Sequence, residues 1–306
     1  MERRYTVVGT GALGGYYGAR LHHAGLDVRF LLRSDFDHVC AHGLRVESPE
    51  GDFSIPAPQA FGTPGDLPAS EVVLLCLKTT GNHQLAELLP PAVGAGATVV
   101  VMQNGLDVEA EVAALLPDHP VLGGLSFLCS NKIGPGHIRH IDYGQVRFGA
   151  FSETGNAQGI TPEMEAIGSD FERAGIPVIL EEDLTTARWK KLVWNIPYNG
   201  LCTVQDTPTD ALMAESRLAT EVKALMAEVL VAAKACGAEI PEDFAEKMRE
   251  DTVRMGAYLP SMLIDRRENR PLELEAIYQR PLAAARSAGV ACPRIEDLHA
   301  RLRALD

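Results

Sequence analysis

The residues with the clearest chemistry stand near the N-terminus, in Val7-Val8-Gly9-Thr10-Gly11-Ala12-Leu13-Gly14-Gly15. Glycines in the spacing G-x-G-x-x-G, after an apolar run and before a helical pattern, form a dinucleotide-binding loop. Gly9 permits the tight turn out of the strand. Gly11 lets the backbone approach a pyrophosphate, and Gly14 lets helix pack closely on strand. Thr10, Ala12 and Leu13 complete the loop, and the helix N-terminus offers free N–H groups and a positive dipole end. Alone the pattern is weak. Here it opens a βαβ unit, which is the context it needs. An acidic residue ~20 positions on binds the ribose hydroxyls in NAD-preferring sites. This chain instead reads Phe30-Leu31-Leu32-Arg33-Ser34. Arg33 can also be a solvated strand-end charge, but with Ser34 it suits a 2′-phosphate, so the expected cofactor is NADPH rather than NADH.

These groups need a scaffold. Residues 5–8, 28–31, 72–75 and 98–102 read as buried strands, with a helix over 12–24 closed by Gly25. The repeated βαβ pattern predicts an α/β fold with a doubly wound parallel sheet. Further strands are expected at 121–122, 138–141, 146–148 and 178–180. Past Glu182-Asp183 the pattern turns helical, with helices over 215–236, 244–265, 271–287 and 293–302. The expectation is a Rossmann domain over 1–182 and an all-helical domain over 183–306.

Composition sets outer limits. The 306 residues carry 28 basic and 41 acidic side chains, net −13. That argues against nucleic acid or an anionic membrane as partner. The scattered cysteines make no CxxC pair and fit a reduced cytoplasmic protein. No apolar run is long enough to span a bilayer, and no HExxH or comparable ligand set occurs, so no metal is expected.

The glycine loop, the Asn104-Gly105 pair after a later strand and the segment Arg188-Trp189-Lys190-Lys191-Leu192-Val193-Trp194-Asn195 stand in one order. With Pro260-Ser261-Met262-Leu263 and residues 272–277, they resemble the ketopantoate reductase (2-dehydropantoate 2-reductase) family over nearly the whole chain. The resemblance implies a Rossmann domain, a helical domain and an active site between them. It implies NADPH-dependent reduction of a 2-keto acid, ketopantoate first among candidates. Lys191 matches the family's catalytic lysine, which stabilises charge on the carbonyl oxygen and delivers the proton. Asn195 and Asn199 lie four and eight residues further on, on one helical face, although Pro197 can kink that helix. The match favours both, and Ser261, as substrate contacts. Glu273 matches the active-site glutamate, placed to keep Lys191 protonated or to bind a substrate or ribose hydroxyl. Its residue type also suits the first turn of a helix opened by Pro271. Lys78, Asn104 and Ser130 match cofactor contacts, and Glu228 matches an acidic position of the relatives.

Tyr258 stands where the reductases usually carry a substrate-binding Asn, and Tyr278-Gln279 replaces a frequent Asn-Gly. Reaction type therefore transfers better than substrate. The alternatives are a paralogous reductase of another keto acid and a non-catalytic NADPH-binding regulator. A homodimer through the helical half is the expected assembly.

Overall fold

In the computed structural model, which describes residues 3–306, the apolar run after Arg4 becomes an interior strand of a 10-stranded sheet. Chain order in this first unit is β1 (Arg4–Val8), α1 (Ala12–His23), β2 (Asp27–Leu31), α2 (Phe36–His42), β3 (Leu44–Glu47), β4 (Phe53–Ile55), β5 (Gln59–Phe61), β6 (Ser70–Leu75), α3 (Leu85–Ala92), β7 (Val93–Val101), α4 (Val108–Leu115), β8 (Val121–Gly134), β9 (His137–Ala150), α5 (Pro162–Arg173) and β10 (Val178–Glu181). Sheet order is β4-β3-β9-β8-β7-β6-β1-β2-β5, with β10 also on β9. Strand β1 pairs in parallel with β2 and β6. Its residues Tyr5 through Val8 are fully buried. Burial on both faces explains a continuous apolar run where a one-sided strand would alternate.

The sheet is mixed. Strands β8 and β9 form an antiparallel hairpin of 14 residues each across Pro135-Gly136, with Gly136 at φ +59. So short a connection allows only antiparallel pairing. The hairpin runs far beyond the short strands expected there. Register shifts near Phe127, Cys129 and Lys132 break the alternation that would have marked it in the sequence. Strands β3, β4 and β5 are too short to leave a pattern and were not expected.

The second unit contains α6 (Leu184–Gln205), α7 (Thr209–Ala214), α8 (Ser216–Ala235), α9 (Phe244–Met255), α10 (Ser261–Arg267), a π turn (Glu275–Gln279), α11 (Arg280–Ser287) and α12 (Pro293–Arg303). By compactness it comprises Thr185–Asp306 and also Asn104–Asp107. The first unit is the chain up to Gln103 with Val108–Leu184. Leu192, Val193 and Ile196 of α6 pack with Val222, Leu225, Met226 and Val229 of α8 in one apolar core.

Two helices differ from expectation. The stretch 244–265 breaks at Gly256, φ +73, and Pro260 in extended backbone restarts it as α10. The stretch expected to begin at Pro271 starts only at Leu274, so Glu273 precedes the helix and is not in its first turn. The Leu272 N–H is taken by the Asp306 carboxylate at 3.0 Å. The π turn also leaves one carbonyl without its helical donor. Pro281 lacks the N–H that i→i+5 bonding would direct at the Ala276 carbonyl. The Leu106 N–H donates to that carbonyl instead, at 3.0 Å. Gly105 makes this approach possible: its φ is +109, and a Cβ there would stand 2.5 Å from the Ala276 Cβ.

Candidate active site

The glycine loop leaves β1 with each glycine in a distinct role. Gly9 has φ +98, and a Cβ on it would lie 2.6 Å from the Leu77 nitrogen. A Cβ on Gly14 would lie 2.8 Å from the Cys76 Cβ and 2.9 Å from Val7 Cγ1. Those two positions are closed to any side chain by the protein itself. Gly11 differs. It is the N-cap of α1, makes no side-chain cap, and a Cβ there would meet nothing within 4 Å. Nothing in the fold demands glycine at that point, so the space it leaves fits a ligand at the helix N-terminus. Ala12 and Leu13 follow as the first turn of α1.

Polar and basic residues follow the ends of the adjacent strands. The Thr10 hydroxyl donates to the Leu31 carbonyl at 3.1 Å and so ties the loop to the end of β2. Arg33 follows that end and is exposed, making no ion pair among the described residues. Asp35, two residues on, would be a poor neighbour for a phosphate were it unpaired. Burial alone would raise its carboxyl, but the Lys132 ammonium at 2.6 Å and the Gly136 N–H at 2.9 Å hold it below the usual range. Lys78 follows β6, adjacent to β1 in the sheet, and is half-buried. The Ser130 hydroxyl, on β8, donates to the Ala12 carbonyl at 3.4 Å. The first unit thus gathers the loop, Arg33 and Lys78 at the carboxyl ends of adjacent strands, where α/β sheets bind ligands, with Ser130 against the loop. Asn104, half-buried, belongs with the second unit, carried there by Gly105 and Leu106.

These residues fit a dinucleotide, and the fit has a direct test. A Gly11→Val substitution should lower the melting temperature only by what a poorer N-cap residue costs, because its side chain enters open space. It should weaken NADPH binding roughly 5- to 150-fold, the equivalent of overpacking by about 1–3 kcal/mol, as measured by NADPH fluorescence titration. Unchanged affinity would remove the loop from the cofactor site.

In the second unit α6 runs unbroken through Pro197 to Gln205. Lys191, Asn195 and Asn199 recur every fourth residue, and all are buried, at 8%, 5% and 2% exposure. Burying an ammonium is costly, and the effect shows in its acidity. Desolvation, aided by the Arg188 guanidinium and opposed by the Glu273 carboxylate, lowers the Lys191 pKa to about 7. The Asn195 Nδ2 is buried with no hydrogen-bond partner. The Asn199 Oδ1 accepts the Met262 N–H at 3.3 Å. Ser261 opens α10, half-buried, with no hydrogen-bond partner for its hydroxyl among the described residues. Glu273 is buried in the coil before the π turn. The stripe joins a proton donor poised near neutrality to an unsatisfied amide donor. Such a set has the chemistry to bind and protonate an oxygen-rich anion.

Sequence reasoning missed Arg188, although its position one helical turn before Lys191 was visible. It also missed the surroundings of Tyr258. The Trp194 ring stacks on Tyr198 at 5.1 Å between centroids and lies 6.1 Å from the Tyr258 ring. The indole N–H donates to the Thr252 hydroxyl at 3.0 Å. The Tyr258 backbone is clamped to Thr209 through bonds of 3.0 and 3.1 Å. Tyr278 is a core residue: fully buried, it donates its hydroxyl to the Ile196 carbonyl at 2.9 Å. Glu228 accepts the N–H groups of Arg294 and Ile295 at 3.0 and 3.1 Å and so caps α12. Among the described residues no group of three or more His, Cys, Asp or Glu could hold a metal ion, and no helix is long and apolar enough to cross a membrane.

The family model described as ketopantoate reductase PanE/ApbA matches residues 5–153, and the model of its C-terminal part matches residues 183–306. The 2-dehydropantoate 2-reductase of Nostoc sp. is 50% identical over 305 residues, which covers 100% of this chain and 96% of that protein. The crystal structure of 2-dehydropantoate 2-reductase from Geobacter metallireducens GS-15 superposes with TM-score 0.94 at 39% identity, covering 99% of this chain and 100% of the other. That of the enzyme from Methylococcus capsulatus gives 0.88 at 35%, covering 99% and 96%.

Proposed function

The chain belongs to the ketopantoate reductase family of oxidoreductases, and from that premise we propose that it uses NADPH to reduce a 2-keto acid to a 2-hydroxy acid, ketopantoate to pantoate. The observation that carries this reading is Lys191: a buried ammonium with a pKa of about 7, on one stripe with the unpartnered Asn195 amide. A bound reduced nicotinamide supplies the hydride. The chain's own residues handle the charge and proton that follow. Lys191 donates to the substrate's carbonyl oxygen, stabilises the negative charge that develops there and transfers its proton. Asn195 and Asn199 turn amide donors toward the keto acid, and Ser261 donates to its carboxylate. Glu273 favours the protonated form of Lys191 and accepts from a substrate or ribose hydroxyl.

Gly9, Thr10, Gly11, Ala12, Leu13 and Gly14 hold the pyrophosphate, Arg33 the 2′-phosphate, and Lys78, Asn104 and Ser130 the rest of the cofactor, with Glu273 at its ribose. The proposed organisation is an NADP-binding domain over 1–182 and a substrate and dimerisation domain over 183–306, acting in the cytoplasm as a homodimer.

A second reading keeps this machinery for another keto acid, and the aromatic pair Trp194–Tyr258 favours it. Rigid rings, one of them on α6 three residues from Lys191, suit a bulky apolar chain. The test follows NADPH absorbance against a panel containing ketopantoate, small 2-keto acids, and branched and aromatic ones. The proposed function requires the highest kcat/KM for ketopantoate. A better branched or aromatic substrate would select the second reading, and NADPH binding without turnover of any acid would point to a regulatory protein.

A further inference from the structure

The Asn199 carboxamide does something the substrate stripe does not require of it. The start of a helix leaves N–H groups without intrahelical acceptors, and a Ser, Thr, Asp or Asn side chain at the N-cap usually accepts one. The N-cap of α10 is Pro260, which has no such side chain and makes no capping bond. The second residue of that helix, Met262, has its backbone N–H bonded at 3.3 Å to the Asn199 Oδ1, from 63 positions earlier in the chain. Both residues are buried, at 2% and 1% exposure, so water is a poor substitute acceptor. The bond also fixes which way the amide faces. A flipped Asn199 would set its own N–H against that of Met262, donor against donor. Ser261 immediately precedes Met262, and its hydroxyl is unpartnered among the described residues.

We infer that Asn199 is a positioning residue for Ser261: by capping α10 from the neighbouring helix, its Oδ1 sets where the Ser261 hydroxyl stands in the substrate site. This rests on the reading of Ser261 as a contact to the substrate carboxylate. A role through another residue predicts coupling between the two substitutions, whereas independent contacts add.

The experiment measures the penalty of Ser261→Ala in three backgrounds with the full-length enzyme, NADPH and the best keto acid. In the wild type, Ser261→Ala raises KM about tenfold, the loss of one hydrogen bond to a charged group. In Asn199→Ala the same change raises KM less than twofold, because Ser261 is already displaced. In Asn199→Asp, which keeps the acceptor for Met262, the tenfold penalty returns, although the absolute KM is higher. Asn199→Ser is too short to reach the Met262 N–H; it replaces the Ala variant if that one does not fold, with the same expectation. A tenfold penalty persisting in Asn199→Ala or Asn199→Ser overturns the positioning role and leaves the carboxylate reading intact. An unchanged KM in Ser261→Ala alone overturns the carboxylate reading, and the positioning role with it.

Discussion

Lys191→Ala lowers kcat for keto-acid reduction by about 10²–10⁴-fold, the range spanned by a positioned proton donor and a charge-stabilising donor together, while the Kd for NADPH stays within about twofold because the loop and Arg33 are untouched. Stopped-flow absorbance and a fluorescence titration measure the two quantities. Retained kcat in the variant removes Lys191 from the chemistry. The wild-type pH profile supplies an independent check. The donor is the ammonium form, and Lys191 has a pKa of about 7. Reductive kcat/KM is therefore at its plateau below pH 7 and falls tenfold per unit above it. Oxidation of the hydroxy acid needs the neutral amine as base and rises through the same interval. The stability sign runs with it. The folded value lies below the ordinary lysine value, so the unfolded chain binds more protons between the two. The burial penalty is fully present below pH 7, shrinks as pH rises, and is gone above the ordinary value. Lys191→Met, similar in length and uncharged, should therefore melt higher than wild type at pH 6 while losing turnover. A lower melting temperature there would mean that the ammonium is held by partners strong enough to outweigh its desolvation.

Arg33→Glu is the second large effect. The substitution removes a charged donor and places a carboxylate where the 2′-phosphate of NADPH would lie. Loss of a charge-assisted bond contributes about 1.5–3 kcal/mol, and like-charge repulsion adds to it. The expected result is a fall of kcat/KM with NADPH of at least about 100-fold, with NADH changed little or improved, since a carboxylate at this place suits ribose hydroxyls. Steady-state kinetics with both cofactors at fixed substrate decide it. Equal losses for the two cofactors would show that Arg33 serves the fold and not the phosphate. The paired state of Asp35, bound by Lys132 and the Gly136 N–H, keeps the wild-type strand end suited to a phosphate.

The features readable in the sequence were those set by local periodicity. The glycine loop, the central strands β1, β2, β6 and β7, and the Lys191–Asn195–Asn199 stripe each announce themselves within a dozen residues. The long hairpin β8–β9 does not, because its bulges scramble the two-residue alternation. The helix break at Gly256 is set by one left-handed residue in an otherwise helical pattern, and the late start at Leu274 follows a Leu272 N–H held by Asp306 from 34 residues away. Tyr278 looks from the sequence like a change at the substrate site and turns out to fill the core, because its hydroxyl finds the carbonyl of Ile196. Glu228 drew notice as an acidic position, and its physical reason is a helix start 66 residues away. The bond between Asn199 and Met262 is of the same kind: long-range, directed, and invisible to any window.

The Leu106–Ala276 bond has a consequence for how this protein can be divided or recombined. The helical unit is discontinuous in the chain: its core includes Leu106, and its π turn is completed by the Leu106 N–H. A fragment beginning at Thr185 carries every helix of that unit and still lacks a piece of its own interior, with the Ala276 carbonyl left without its donor. A chimera that exchanges residues 185–306 for those of a relative inherits the recipient's Asn104–Asp107 beneath a foreign π turn. Modularity in this protein follows packing and not the order of residues, so the four residues Asn104–Asp107 must travel with the helices they complete.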